Sequence, residues 1–268
     1  MIRFLLASLL LLPLGPQAQA KLIEPETLLA KILESYRAVY QFYAEAKVTV
    51  YDPEAFRLLE EETGNDIPYV LSDRAYGQRL IFMRDEFLFI ETKGAAGELL
   101  HLYFREGEKI FSRNVRQDRR FHTEDIVFPH TVFFTKFPSL LKAGLSELGI
   151  ALLDVKLKRH GSGYLYQLGT DEENIRVDQE DFRVLEANRT VAIGGRVHNL
   201  KILFRNWDGR KKRIPGLMRY YIGDRLLKDV RLTKIDIRGN RSRGRDFVKK
   251  YRHFLPPPSF SAIANYAR

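Results

Sequence analysis

The chain of 268 residues contains no cysteine, one tryptophan and three methionines. Without a thiol it forms no disulfide framework, thiolate metal site, iron–sulfur cluster or cysteine nucleophile. It also offers no cysteine for an N-terminal lipid anchor. Beyond the first twenty residues, no apolar run approaches the length of about 20 residues that a membrane-spanning helix needs. The chain has no GxSxG, no HExxH and no glycine-rich phosphate loop. What is present is 45% hydrophobic, 29% charged and 12% aromatic residues. That balance belongs to a folded protein, neither disordered nor collagen-like. Lys and Arg outnumber Asp and Glu by 44 to 34, a net charge of +10. Charge of this sign suits nucleic acid, an anionic membrane surface or an acidic partner.

Residues 1–20 read as a secretory signal. Arg3 supplies the positive start, Phe4 to Leu12 the apolar stretch, and Pro13, Gly15 and Pro16 the break. Ala18 and Ala20 place small residues where a signal peptidase cuts, so cleavage is expected after Ala20. An exported protein rarely meets chromosomal DNA. The basic charge is therefore expected to serve a membrane surface or a protein partner, with no role for nucleic acid.

The next segment has helical spacing. Pro25 stands at a first helical position, where its missing N–H is tolerated. Leu28, Leu29, Ile32, Leu33, Tyr36, Val39, Tyr40 and Tyr43 then line one face. The period changes to two at Ala44, Ala46, Val48 and Val50, as in a half-buried strand. Asp52 and Pro53 resemble an N-cap and a first-turn proline, opening a short helix that ends near Gly64. Residues 65–77 show no period and read as a surface excursion.

From Arg79 onward strands dominate, at Arg79–Met83, Phe87–Thr92, Glu98–Phe104 and Lys109–Arg113. Short turns between them predict antiparallel hairpins. Several are apolar on both faces, with Phe87 and Phe89 opposite Leu88 and Ile90. Something must therefore cover the second face, and the expected cover is helical. One cover is the opening helix. The other follows Thr131, with Phe137, Leu140, Leu141, Leu145 and Leu148 at helical spacing and Pro138 near its start. Later strands are expected at Leu153–Leu157, Tyr164–Leu168, Phe182–Ala187, Val191–Ile193, Leu200–Phe204, Leu217–Ile222 and Leu226–Ile237. The last changes phase, which predicts a bulge near Thr233 and Lys234 or cover on both faces. Pro256, Pro257 and Pro258 open an extended tail.

Candidate chemistry is sparse. His122, Glu124, Asp125 and His130 lie close in sequence but match no metal-ligand spacing, so a polar loop is expected. Asp171, Glu172 and Glu173 lack the spaced acids of a calcium loop. His160 to Gly163 is a turn between strands. No metal, cofactor or catalytic residue is expected, which leaves a secreted hydrolase as a distant rival. Arg210, Lys211, Lys212 and Arg213 form a cationic run that reads either as a solvated hairpin tip or as a membrane and partner contact.

The segments ILESYRAVYQFYAEAKVTVYD (32–52), QRLIFMRDEFLFIETKG (78–94), ELLHLYFREGEKIFSRN (98–114) and PGLMRYYIGDRLLKDVRLTKIDIR (215–238) follow one another in a familiar order. This arrangement resembles the LolA-like periplasmic carriers of outer-membrane lipoproteins and related lipoprotein-sorting proteins. The likeness runs from about Glu24 to Arg238. It implies an α+β, mainly β fold: a single strongly curved antiparallel sheet, an unclosed half-barrel, with helices packed in its concave face. It implies a carrier domain over 21–240, with a basic, proline-containing tail over 241–268. It also implies an apolar cavity under a helical lid that takes acyl chains, and Arg84 as the latch of that lid.

On that reading the lining comprises Leu29, Ile32, Leu33, Tyr36, Val48, Phe82, Phe87, Phe89, Leu102, Phe104, Phe133, Phe134, Phe137, Leu140 and Leu141. A 16-carbon chain left in water costs on the order of 12 kcal/mol, so a diffusible carrier must hide it. The implied cargo is lipid or an acylated lipoprotein, with inner- and outer-membrane transport partners and an anionic membrane surface. The alternative is an interaction or envelope-stress sensor module that grips a protein segment in the same groove.

Overall fold

The computed structural model describes residues 22–62, 74–106, 109–114, 119–121, 129–207 and 213–237, together with Lys249. The expected signal segment, most of the 65–77 excursion, residues Arg210 to Lys212 and all but one residue of the tail lie outside these.

Three α-helices and thirteen strands are present among the described residues. In chain order the first half is α1 (Pro25–Tyr36), β1 (Gln41–Val50), α2 (Pro53–Glu62), β2 (Ala75–Met83), β3 (Phe87–Lys93), β4 (Leu99–Glu106), β5 (Lys109–Asn114) and β6 (Arg119–Phe121). A 3-10 turn at Pro129–Phe134 leads into α3 (Pro138–Glu147). The second half is β7 (Val155–His160), β8 (Gly163–Gly169), β9 (Asn174–Asp178), β10 (Val184–Ile193), β11 (Arg196–Trp207), β12 (Pro215–Ile222) and β13 (Arg225–Asp236).

All thirteen strands form one sheet in the order β6-β5-β4-β3-β2-β1-β13-β12-β11-β10-β9-β8-β7. Two meanders, β1 to β6 and β7 to β13, are joined where β1 pairs antiparallel with β13. The outer strands β6 and β7 are the two edges, so the sheet is an unclosed half-barrel with helices. This topology already dictates a cover. The 3-10 turn and α3 connect one edge strand to the other, so the chain must pass over the sheet between them. Among the described residues no helix is long and apolar enough to cross a membrane.

Local sequence accounts for the elements. β1 alternates as its pattern requires: Phe42, Ala44, Ala46, Val48 and Val50 are buried, while Gln41, Tyr43, Glu45 and Thr49 are half-buried and Lys47 is exposed. Asp52 caps α2, its Oδ1 accepting the Ala55 N–H at 3.0 Å. The expected bulge in β13 is real. Glu45 faces Lys234 and Ala46 faces Leu232, so Thr233 is the extra residue, and its hydroxyl donates to the Glu45 carbonyl at 3.2 Å.

Three expectations need correction. The opening helix ends at Tyr36, and Tyr40 and Tyr43 lie beyond it. The segments Phe182–Ala187 and Val191–Ile193 are one strand, β10, which starts at Val184. Strands β6 and β9 carry too little apolar pattern to stand out, and pairing with neighbours defines them.

Candidate functional site

The site grows from the odd–even split of the strands. Cross-strand pairing puts Phe42, Phe82 and Leu88 in one row, and Ala44, Leu80, Ile90 and Tyr103 in the next. These side chains share the face that meets the helices. From α1 come Leu28, Leu29, Ile32 and Tyr36, all buried, with Leu33 packed against them. Phe133 and Phe134 arrive from the 3-10 turn, and Leu141 and Leu145 from α3. Tyr36 lies 6.1 Å from Phe133 and 5.4 Å from Phe134, ring centre to ring centre. Phe134 also meets Phe42 at 5.7 Å and Phe82 at 5.4 Å. Five rings thus join helix, turn and sheet, in the offset and edge-on contacts that aromatic pairs favour.

A clasp of three consecutive residues holds this cover at the β2–β3 turn. Arg84 is buried, and its Nη2 donates to the carbonyls of Tyr36 (2.9 Å), Arg37 (2.8 Å) and Val39 (2.5 Å). The C-terminal carbonyls of a helix lack donors of their own and carry partial negative charge, so a guanidinium there serves both needs. Burial lowers the guanidinium pKa from its ordinary value, while Asp85 and Tyr40 oppose that shift. Asp85 has φ of +56° and accepts a hydrogen bond from the Thr135 hydroxyl at 2.9 Å. Glu86 accepts one from the Tyr40 hydroxyl at 3.1 Å.

A second tie joins α1 to β10. The Tyr36 hydroxyl accepts the Val184 N–H at 3.0 Å, and Ser35 donates to the Phe182 carbonyl at 3.2 Å. Burial pushes the Tyr36 phenol well above its ordinary pKa, so it stays neutral.

Of the expected lining, Leu29, Ile32, Tyr36, Val48, Phe82, Phe133, Phe134 and Leu141 belong to the one buried cluster, with Leu33 at its margin. Six residues do not face it. Phe87, Phe89, Leu102 and Phe104 are buried on the opposite face of the sheet, where Ile81 pairs with Phe89 and Phe89 with Phe104. The pleat forces this, because they alternate with Leu88, Ile90 and Tyr103. Among the described residues, α1, α2, α3 and the 3-10 turn cover the other face. Phe137 and Leu140 are 52% and 50% exposed. Helical spacing had joined them to Leu141 and Leu145, but Phe137 is the residue before α3, and Leu140 points outward. Of the basic run, only Arg213 is among the described residues. Arg213 is half-buried and lies 3.5 Å from Asp181, so it is engaged within the fold.

Two features were missed. The short helix expected after Asp52 is present as α2, but its place in the core was not foreseen: it lies within the core cluster through Ala55, Phe56 and Leu59, making a second cover. Its signal was the apolar set Ala55, Phe56 and Leu59 inside that helix. Beneath it Lys228 is 1% exposed, its Nζ 4.4 Å from the Phe56 ring centre and 4.8 Å from that of Tyr220. A register shift between Tyr220 and Tyr221 breaks the alternation near this lysine, so strand period alone could not place it.

No protein-family model matches the chain, and no curated protein matches its sequence. Solved structures do. A LolA superfamily protein from Nitrosomonas europaea is 13% identical, with a TM-score of 0.50, over 81% of this chain and 94% of its own. An outer-membrane lipoprotein-sorting protein domain from Vibrio parahaemolyticus is 9% identical, with a TM-score of 0.48, over 91% of this chain and 100% of its own. MucB, solved in complex with the periplasmic part of MucA, is 10% identical, with a TM-score of 0.31, over 80% of this chain and 55% of its own. The chain has a LolA-like fold.

Proposed function

We propose that this protein is a periplasmic carrier that holds the acyl chains of lipid or lipoprotein between its half-barrel and the helices lying on it, and delivers them toward the outer membrane. One observation carries this reading: the cover over the apolar face is a separate layer of helix and turn, packed on the sheet through side chains and tied to it by polar bonds at two corners. Arg84, Asp85 and Glu86 tie it at one corner, and Tyr36 and Ser35 tie it at another. Lifting the layer breaks these ties and its side-chain packing but leaves all thirteen strands paired, so it costs less than opening the sheet. When the layer lifts, the apolar rows of β1 to β4 become a surface that acyl chains fill. Sequence supports export through the signal in residues 1–20, and the fold is consistent with a carrier.

Purification from cell envelopes, followed by organic extraction and mass spectrometry, tests the proposal. Stoichiometric acylated lipid or lipoprotein supports it. The absence of any copurifying lipid, together with no uptake of a fluorescent fatty acid, rejects it.

A second reading has its own observation. Phe137 and Leu140 stand half-exposed together at the start of α3, as a contact for a protein segment. A stoichiometric protein partner with no lipid would favour that reading.

A further inference from the structure

Cross-strand register places Ala46, Gln78, Thr92 and His101 in one row across β1 to β4. Each lies two residues along its strand from Ala44, Leu80, Ile90 or Tyr103, so the row shares the face that meets the helices. Along the strands hydrocarbon flanks it on both sides. Leu80 and Ile90 stand on one side, and Val48 paired with Tyr76 on the other, all four in the core cluster. Gln78, Thr92 and His101 are themselves buried, at 5%, 3% and 6% exposure. Their row is polar without being charged, because burial lowers the His101 pKa to about 4 and leaves its imidazole neutral at pH 7.

A glutamine in this place is not explained by packing. Its Nε2 donates to the Thr92 hydroxyl over a long 3.4 Å, and its Oε1 has no hydrogen-bond partner among the described residues. A leucine would fill similar space without leaving a buried acceptor unsatisfied, which costs stability. On β1 the row ends in Ala46, which with Ala44 is the smallest of that strand's buried side chains, so the strand presents least bulk beside the amide. An acceptor held between two bands of hydrocarbon matches a ligand built the same way: a hydrogen-bond donor with hydrocarbon on either side.

We infer that this row is the linkage site of the carrier face, where Gln78 Oε1 accepts the N–H of an amide that joins an acyl chain to the rest of the ligand. This rests on the carrier reading above, since the row is reached only when the covering layer lifts. The chemistry separates amide from ester. Both offer a carbonyl, to which the Thr92 hydroxyl can donate while it accepts from Gln78. Only the amide brings an N–H, and an ester leaves Gln78 Oε1 as unsatisfied as before.

The test compares isosteric amides and esters on the full protein, by competition against a fluorescent fatty acid. N-octyloctanamide is paired with octyl octanoate, and N-palmitoyl-alanyl-alaninamide with the analogue in which O-palmitoyl lactate replaces the acylated alanine. We expect each amide to bind at least as tightly as its ester, although the amide costs more to desolvate. In Gln78→Leu the amide-to-ester affinity ratio should fall at least tenfold, with ester binding retained and thermal stability unchanged or raised. Gln78→Met, of similar length, serves if the leucine variant does not fold. A fall confined to the peptide pair supports the site and identifies an acylated amino terminus as the source of the amide; a fall in both pairs supports it for amide-linked lipid as well. A wild-type protein that prefers both esters overturns the linkage site and leaves the carrier reading standing. An unchanged ratio in the folded variant overturns the assignment to Gln78. If the wild type takes up neither the fluorescent fatty acid nor any member of the pairs, the carrier reading fails and the linkage site with it.

Discussion

The guanidinium of Arg84 donates to the carbonyl oxygen of Tyr36 at 2.9 Å, across 48 residues of sequence. The bond joins a sheet turn to the last residue of α1, and two further carbonyls share the same nitrogen. Helix and sheet are thus fastened where the helix ends. That ending is itself a consequence, since the carbonyls of Arg37 and Val39 are held by the side chain and not by another helical turn.

Replacing Arg84 with Met should therefore do more than remove a charge. Three carbonyls lose their donor, and a loss of about 2–4 kcal/mol in urea unfolding is expected. Hydrogen exchange should show the amides of α1 opening well before those of β11 to β13. Uniform loss of protection across the molecule would show that α1 is ordinary core.

Tyr36→Phe keeps the ring contacts with Phe133 and Phe134 but leaves the buried Val184 N–H without its acceptor. A loss of about 1–3 kcal/mol follows. The near-ultraviolet aromatic signal should survive, because the ring stays in place. A neutral effect on stability would mean that the bond is not formed in solution.

Gly144 lies in α3, where alanine normally stabilises a helix by up to about 1 kcal/mol over glycine. Here a Cβ would stand 2.0 Å from Cγ2 of Val132 in the 3-10 turn. Gly144→Ala should invert the usual sign and lower the melting temperature. A raised melting temperature would show that the turn and α3 are loosely apposed.

Burial lowers the pKa of His101 from 6.5 to about 4. The unfolded chain therefore takes up a proton between pH 6.5 and 4 that the folded chain does not. Stability from this group is complete above pH 6.5 and falls as pH drops through that window, by on the order of 3 kcal/mol. His101→Gln should flatten the dependence of the urea midpoint on pH over that range. An unchanged slope would assign the acid sensitivity elsewhere.

Much of this was legible in the sequence, and what was not has physical causes. Strict alternation in Phe42 to Val50 located β1, Asp52 announced α2, and the change of phase near Thr233 marked a bulge. Phe87 and Phe89 were assigned to the wrong face because alternation defines two faces without saying which one meets the helices. The end of α1 depends on Arg84, far away in sequence, so local spacing extended the helix through Tyr43. Exposure of Leu140 reflects an apolar stripe broader than the area α3 buries. Lys228 was hidden by the irregular register beside it, and the burial of α2 by the shortness of its apolar set, Ala55, Phe56 and Leu59.

Because the chain has no cysteine, a single engineered pair can lock the cover without side reactions. Asp85 and Thr135 are hydrogen-bonded through short side chains at 2.9 Å, on the sheet turn and the covering segment respectively. The measurement is uptake of a fluorescent fatty acid by Asp85→Cys/Thr135→Cys, oxidised and then reduced. Blocked uptake in the oxidised protein, restored by reduction, is the outcome expected if the layer must lift to admit an acyl chain. Equal uptake in both states, or none in either, would contradict the account.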